Sequence, residues 1–310
     1  MDHLHRLSTF VAVADSGSFA RGARLREISA PAATRAVASL ERHLGALLLQ
    51  RTTRSLRLTE QGEAFLVECR RILADLEAAE TAVTGARSEP RGTLSITAPT
   101  LFGGRHIAPL LFDFLNQHPA LTARALFTDR LVHLIDEGLD VAVRIAALPD
   151  SGMTAVPVGH MRAVVVASPA YLQQHGVPRT PAELKQHRAI GFTIEGQDRI
   201  GWNFGRARTS TTPQERLVVN ANDVKVAAAV AGQGLTRVLA YQVTDEVLDG
   251  RLCVVLEDHE PPPVPVHLVY PAGRGAAAKV REFVSFAAER LRALPVLQGL
   301  GLKAPRRRRH

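Results

Sequence analysis

Residues 16–60 read SGSFARGARLREISAPAATRAVASLERHLGALLLQRTTRSLRLTE, and this stretch decides the fold of the N-terminal part of the chain. Before it, Leu4, Leu7, Phe10, Val11 and Ala14 recur at three- and four-residue steps, the spacing of one helix face. Gly17 breaks that helix. Ser18 is placed to N-cap a second helix over Phe19–Leu25, and Ser29 a third running to about His43, because a serine hydroxyl accepts from the orphan N–H groups of a first turn. Pro31 falls in that first turn, where a missing N–H costs little. Ala33, Val37, Leu40 and Leu44 are expected to face inward, and Gly45 to end the helix. Two short helices joined this way form a helix-turn-helix, whose second helix enters a DNA major groove. Its outward face carries Ser29, Ala30, Pro31, Thr34, Arg35 and Ser39. Arg and hydroxyl side chains suit base edges and phosphates.

Leu47–Leu49 and Leu56–Leu58 read as two strands around a turn, so the expected head is a winged helix-turn-helix. Arg51, Thr52, Thr53 and Arg54 in the wing are candidates for phosphates or the minor groove. The charge distribution agrees. The 310 residues carry 38 basic and 30 acidic side chains, a net charge of +8. Residues 1–60 hold nine Arg against five acids, residues 301–310 hold five basic residues, and the 240 between are one charge negative. A basic head on a near-neutral body is the electrostatic footprint of a nucleic-acid binder. Arg306–Arg309 is a like-charge run read as a disordered tail.

Hydrophobic content of 46% and 22% charge are those of an ordinary soluble protein, and the length implies more than one domain. No apolar run reaches the roughly 20 residues of a membrane helix. The opening MDHLHRLSTFVAVAD lacks a basic n-region and a small-residue cleavage site, so a cytoplasmic location is expected. Cys69 and Cys253, the two cysteines, argue against a disulfide framework or a cysteine zinc site. The apolar run LCVVL marks Cys253 as a buried thiol.

Thr59 is placed to cap a long helix. In it Phe65, Cys69, Ile72, Leu76, Ala79 and Val83 recur at alternating steps of four and three residues, the spacing of a coiled-coil seam. Dimerisation through that stripe is expected, with packing on the helix's own domain as the alternative. A dimer presents two recognition helices to a pseudo-palindromic site. Gly85, Pro90 and Gly92 mark a hinge.

The remainder alternates strand and helix, the pattern of parallel α/β sheets. Strands are expected at 94–98, 121–128, 141–145, 163–167, 190–193, 217–220, 235–239, 252–256 and 266–270. Helices are expected at 103–118, 131–137, 223–231 and 276–294, with another after a capping box at Thr180 and Glu183.

The chain resembles the LysR-type transcriptional regulators over about residues 1–294. The head motifs are Gly17-Ser18-Phe19, Ser29, Pro31-Ala32, Arg35, Leu40-Glu41, Leu44-Gly45, Arg51-Thr52-Thr53-Arg54, Leu58-Thr59-Glu60 and Gly62. The body motifs are Ala98-Pro99-Thr100, Phe102-Gly103, Leu134-Ile135 with Gly138, Asp140 to Arg144, Ala167 to Leu172 and Gly232-Gln233-Gly234. The chain departs from the family pattern at Gly22, Arg26, Glu27, Ala30 and Leu47; Ala30 stands where a base-reading Gln is common. The resemblance implies a two-lobed effector domain like a periplasmic binding protein. Lobe one is expected at about 91–162 and 267–294, lobe two at about 163–266, within an effector-binding domain of 91–300. A DNA-binding domain of 1–60 and a linker of 61–90 precede it.

Effector candidates are Thr100, Leu101, Phe102 and Gly103, where a strand meets a helix N-terminus that favours a carboxylate, although Thr100 equally suits an N-cap. Thr128, Arg144, Ala146, Arg162, Thr193 and Asn220 complete the set, with Arg144 or Arg162 placed to pair an acidic effector. The expected partners are double-stranded DNA, a small molecule such as an organic acid, and further copies of the chain. Without an esterase elbow, an H-E-x-x-H helix or a P-loop, no enzyme activity, cofactor or metal is expected. A bare solute-binding protein shares the two-lobed fold but needs export.

Overall fold

The computed structural model describes residues 3–51, 56–84, 89–148, 152–194, 202–205, 209–211, 213–271, 277–300 and 302. The head follows from its local signals. Helices α1 (His3–Ser16), α2 (Phe19–Leu25) and α3 (Ala30–Leu44) precede the hairpin strands β1 (Leu49–Arg51) and β2 (Leu56–Leu58). Ser18 and Ser29 cap α2 and α3 by accepting from the N–H groups of Arg21 and Ala32. Gly45 takes the left-handed C-cap at φ 67°, a conformation that side chains disfavour. Leu7, Phe10, Val13, Ala33, Val37 and Leu40 close the head core, whereas Leu44 is exposed.

Gly22 explains itself structurally. A Cβ there would lie 2.7 Å from the backbone of Val13, so α1 and α2 approach too closely for any side chain at this position. The helix-propensity cost of glycine, about 1 kcal/mol, accompanies this close packing. The wing is held by Glu41, whose Oε1 accepts from the N–H groups of Leu48 and Leu49 at 2.9 and 3.1 Å. Thr59 then accepts from the Gly62 N–H at 2.9 Å and opens α4 (Glu60–Thr84).

The body contains two five-stranded sheets. The first has the order β4-β3-β5-β14-β6, from β3 (Gly92–Ala98), β4 (Leu121–Phe127), β5 (Val141–Ile145), β6 (Met153–Met161) and β14 (Val264–Pro271). The second has the order β11-β8-β12-β7-β13, from β7 (Ala163–Ala167), β8 (Arg188–Phe192), β11 (Gln214–Val219), β12 (Leu235–Leu239) and β13 (Cys253–Val255). A short separate hairpin joins β9 (Trp202–Phe204) and β10 (Thr209–Thr211). Between strands run α5 (Thr100–Phe102), a π-helical turn (Gly103–Ile107), α6 (Ala108–Gln117), α7 (Pro169–His175), α8 (Asn222–Val230), α9 (Thr244–Leu248) and α10 (Ala278–Arg292). The chain passes between the sheets at Arg162, and again through residues 256–263.

Both sheets are mixed, correcting the expected parallel ones. β3 runs parallel to β4 and β5, but β14 is antiparallel to β5 and β6. β7 is likewise antiparallel to β12 and β13. The strands that break the rule are those entering or leaving the crossings, where the chain arrives from the other sheet instead of over a helix.

Residues 131–133 have no regular structure and 134–138 form turns, instead of the expected helix over 131–137. Val132 and Leu134 are both buried, in a cluster with Leu139 and Ala142. Two residues buried at a spacing of two cannot share one helix face. The Thr180 capping box is also different: Thr180 Oγ1 donates to Glu183 Oε1 at 2.9 Å, and the segment is the 3-10 helix Pro181–Gln186. Cys69 is the buried thiol, pushed up to about 12 by desolvation and by Glu68, while Cys253 is half-buried. Among the described residues no helix is long and apolar enough to cross a membrane.

Candidate functional site

Pro31, Arg35, Ala38 and Arg42 are exposed on α3 at steps of four, three and four residues. They form one outward stripe along the helix. Arg42 belongs to it although the sequence reading leaves it out, because a base in the last helical turn equally suits pairing with the helix dipole. Ser29 is exposed, but its hydroxyl accepts the capping bond from Ala32. Ala30 is half-buried against the head core, which accounts for a small residue at that position. Thr34 and Ser39 flank the stripe, both half-buried. Ser39 Oγ accepts from Arg6 Nη1 at 3.3 Å, so a guanidinium from α1 lies at the edge of the α3 face. No sequence spacing announces that contact, which joins residues 33 positions apart. Arg51 pairs with Leu56 in the wing hairpin; the Arg51 side chain and Thr52, Thr53 and Arg54 lie outside the described residues.

The α4 stripe divides. Phe65 and Cys69 pack into the head core, with Phe65 tilted against Phe10 at 5.9 Å. They serve the alternative role, packing on their own domain. Ile72 and Ala79 are exposed and Leu76 is half-buried. The side chain of Val83, Gly85 of the expected hinge and the Arg306–Arg309 tail lie outside the described residues. Arg70 on α4 pairs with Asp15 of α1.

Between the two sheets lies a cavity of about 540 Å³, within the range of small-molecule sites. Of the ten effector candidates, Thr128, Arg144 and Ala146 line it. The other seven do not. Thr100 is the first residue of α5, with Pro99 at the N-cap position, and its N–H donates to Asp129 Oδ1 at 3.3 Å. The protein's own carboxylate thus stands where the sequence leads one to expect an effector carboxylate. Phe102 is fully buried, edge-on to Tyr241 at 5.2 Å. Gly103 lies against Phe127, and Leu101 faces a separate groove of about 320 Å³. Arg162 is engaged by Glu260 through two bonds of 2.9 and 2.7 Å. Thr193 donates its N–H to Val219, and Asn220 is exposed.

Sequence reasoning does not reach the cavity's main polar groups: Asp129, Asn222, Lys225, Arg237, Tyr241 and Gln242. Asp129 Oδ2 accepts from Asn222 Nδ2 at 3.4 Å, joining the two sides of the cavity. Burial pushes the guanidinium pKa values of Arg144 and Arg237 down, since desolvation disfavours a charge. Arg144 donates to the Val132 carbonyl. Arg130, at the rim, is neutralised by two 2.7 Å bonds to Glu137. Apolar walls come from Val143, Ile145, Ile190, Phe192, Trp202 and Val238. A signal does exist for one of the polar groups: Lys225 sits in the otherwise apolar run 224–230. Among the described residues no cluster of His, Cys, Asp or Glu is arranged to hold a metal.

Comparison with known proteins matches residues 4–63 to the bacterial regulatory helix-turn-helix protein, lysR family, and residues 87–292 to the LysR substrate binding domain. An HTH-type transcriptional repressor of Pseudomonas aeruginosa is 32% identical, over 96% of this chain and 95% of its own. The solved structure of CrgA, a LysR-type transcriptional regulator from Neisseria meningitidis, is 30% identical, with a TM-score of 0.60 covering 92% of this chain and 98% of that one. A full-length OxyR variant from Pseudomonas aeruginosa shares the fold at 16% identity, with a TM-score of 0.72 over 98% of this chain and 99% of its own.

Proposed function

The chain belongs to the LysR family of transcriptional regulators, and from that premise we propose how its parts divide the work. It is a transcriptional regulator with a helix-turn-helix DNA-binding domain and an effector-binding domain. Residues 1–60 form the DNA-binding unit, 61–90 the linker, 91–300 the effector unit and 301–310 a basic tail. We place the protein in the cytoplasm, where its DNA is, and assign it no catalytic role.

On DNA, α3 enters the major groove with Arg35 as the central reader. Thr34, Ser39 and Arg42 stand beside it, Pro31, Ala30 and Ser29 set the entry of the helix, and Arg51 to Arg54 of the wing reach the backbone. Two copies meet through Ile72, Leu76 and Ala79 of α4. A small anionic effector, an organic acid, occupies the cavity between the sheets. Its binding favours one arrangement of the heads only to the extent that it binds that arrangement more tightly.

The observation that carries this reading is the exposed Arg35 stripe beside a two-stranded wing, on a chain whose body encloses a cavity with cationic walls. Footprinting on the DNA upstream of the gene and of its neighbours tests it. A protected pseudo-palindrome that shifts with an acidic metabolite is expected. Absence of any specific footprint with the full-length protein refutes the DNA assignment.

A further inference from the structure

Lys225 sits near the start of α8 with 5% of its surface exposed, yet it lines the cavity between the sheets. Lysines are almost never buried so completely unless paired, because desolvating an ammonium is costly. Here the pairing is thin. Nζ donates to the Arg237 carbonyl at 3.2 Å and lies 4.6 Å from the centre of the Phe192 ring. An ammonium has three donors, and among the described residues one acceptor is within reach. Asp129 acts on it through space, but that carboxylate is held by the Thr100 N–H and the Asn222 amide.

Among the described residues, Lys225, Arg237 and Arg144 are the cations of the cavity interior and Asp129 is its carboxylate. Around Lys225 the wall is apolar and partly aromatic, with Phe192, Ile194, Trp202 and Leu239. Aromatic faces of this kind favour a flat ring in offset or edge contact. Asp129, which also accepts from Asn222 one turn before Lys225 on α8, repels a second negative charge.

We propose that Lys225 selects the effector: its ammonium takes the single carboxylate of a ring-bearing monocarboxylic acid whose body lies against Phe192 and Trp202. The Arg237 carbonyl is the acceptor that the ligand replaces, and the α5 end of the cavity is closed to the ligand's acid by Asp129. This rests on the cavity being the effector site.

The test uses the full-length protein and isothermal titration with benzoate, hydrocinnamate, the uncharged benzamide and the dianion phthalate. The two monocarboxylates should bind, with benzamide and phthalate weaker by roughly ten- to a hundredfold, the worth of a charge-assisted hydrogen bond. Lys225→Met should reduce monocarboxylate affinity to the benzamide level, while Lys225→Arg retains part of it. A melting curve for Lys225→Met at or above the wild type shows that the loss is not unfolding. Equal monocarboxylate binding by wild type and Lys225→Met overturns the proposal, as does phthalate binding best or none of the four compounds binding. Failure of the cavity as the effector site looks different: a monocarboxylate saturates, yet Ala146→Trp, which fills the cavity, leaves its affinity unchanged.

Discussion

Two regions of the molecule present positive charge, and they do so under opposite conditions. On α3, Arg35 and Arg42 stand in water. In the cavity, Lys225 is 5% exposed and burial presses on Arg144 and Arg237. Exposed cations act on a polyanion additively, each displacing counterions, so their grip weakens steeply with salt. A buried cation is screened little and is itself destabilised, so a single matching anion relieves it. The head's charges suit a long uniform polyanion, and on the proposed reading the cavity's suit one small anion.

The largest effect expected bears on whether the head's charged face is rigid. Glu41→Ala leaves the Leu48 and Leu49 N–H groups without their carboxylate. At about 1.5–3 kcal/mol for a hydrogen bond to a charged group, the head should lose about 3 kcal/mol. A lowered denaturation midpoint, with DNA affinity falling in parallel, checks this; an unchanged midpoint means the wing holds itself. Next, Arg35→Ala should weaken operator binding by about 1–3 kcal/mol and relax specificity at one base pair. A loss equal on all DNA sequences makes Arg35 a phosphate contact and puts base reading on its neighbours.

A pH series sharpens the other side of the comparison. Burial lowers the Lys225 ammonium to about 8 from its usual 10.5. Asp129 favours the charged form and Arg237 opposes it; Tyr241, pushed up to about 12, stays neutral. The cation is present below pH 8 and lost above it, so carboxylate affinity should fall by about tenfold per pH unit beyond that point. The unfolded chain keeps this proton up to its ordinary pKa, so the same group makes the folded state more stable as pH rises from 8 to 10.5. Flat affinity across the titration of this ammonium means the ligand does not use Lys225. The smallest effect should come from Ser39→Ala, which frees Arg6 from α3 at about 0.5–1.5 kcal/mol. Gel shifts at two salt concentrations measure it, and a normal salt slope excludes Arg6 from phosphate contact.

How far each region can be read from the chain follows from the same contrast. The head is specified locally: Ser18, Ser29 and Gly45 announce helix ends within a few residues, and the structure has all three as caps. The cavity is assembled from loops and strands far apart in sequence, so Asp129 and Asn222, 93 residues apart, give no shared signal. Strand direction is nonlocal in the same way, which is why the antiparallel strands beside the crossings are not legible in the sequence. The stripe on α4 is visible, but periodicity does not say what covers it, and Phe65 and Cys69 belong to the head core.

The two crossings between the sheets carry a mechanical consequence. One passes through Arg162, the other through residues 256–263, and Glu260 on the second clamps Arg162 on the first. Two straps fastened together at one point favour rotation of the lobes about that point over sliding. Were an occupant of the cavity to move the lobes, that clamp would confine the movement to an angle between them.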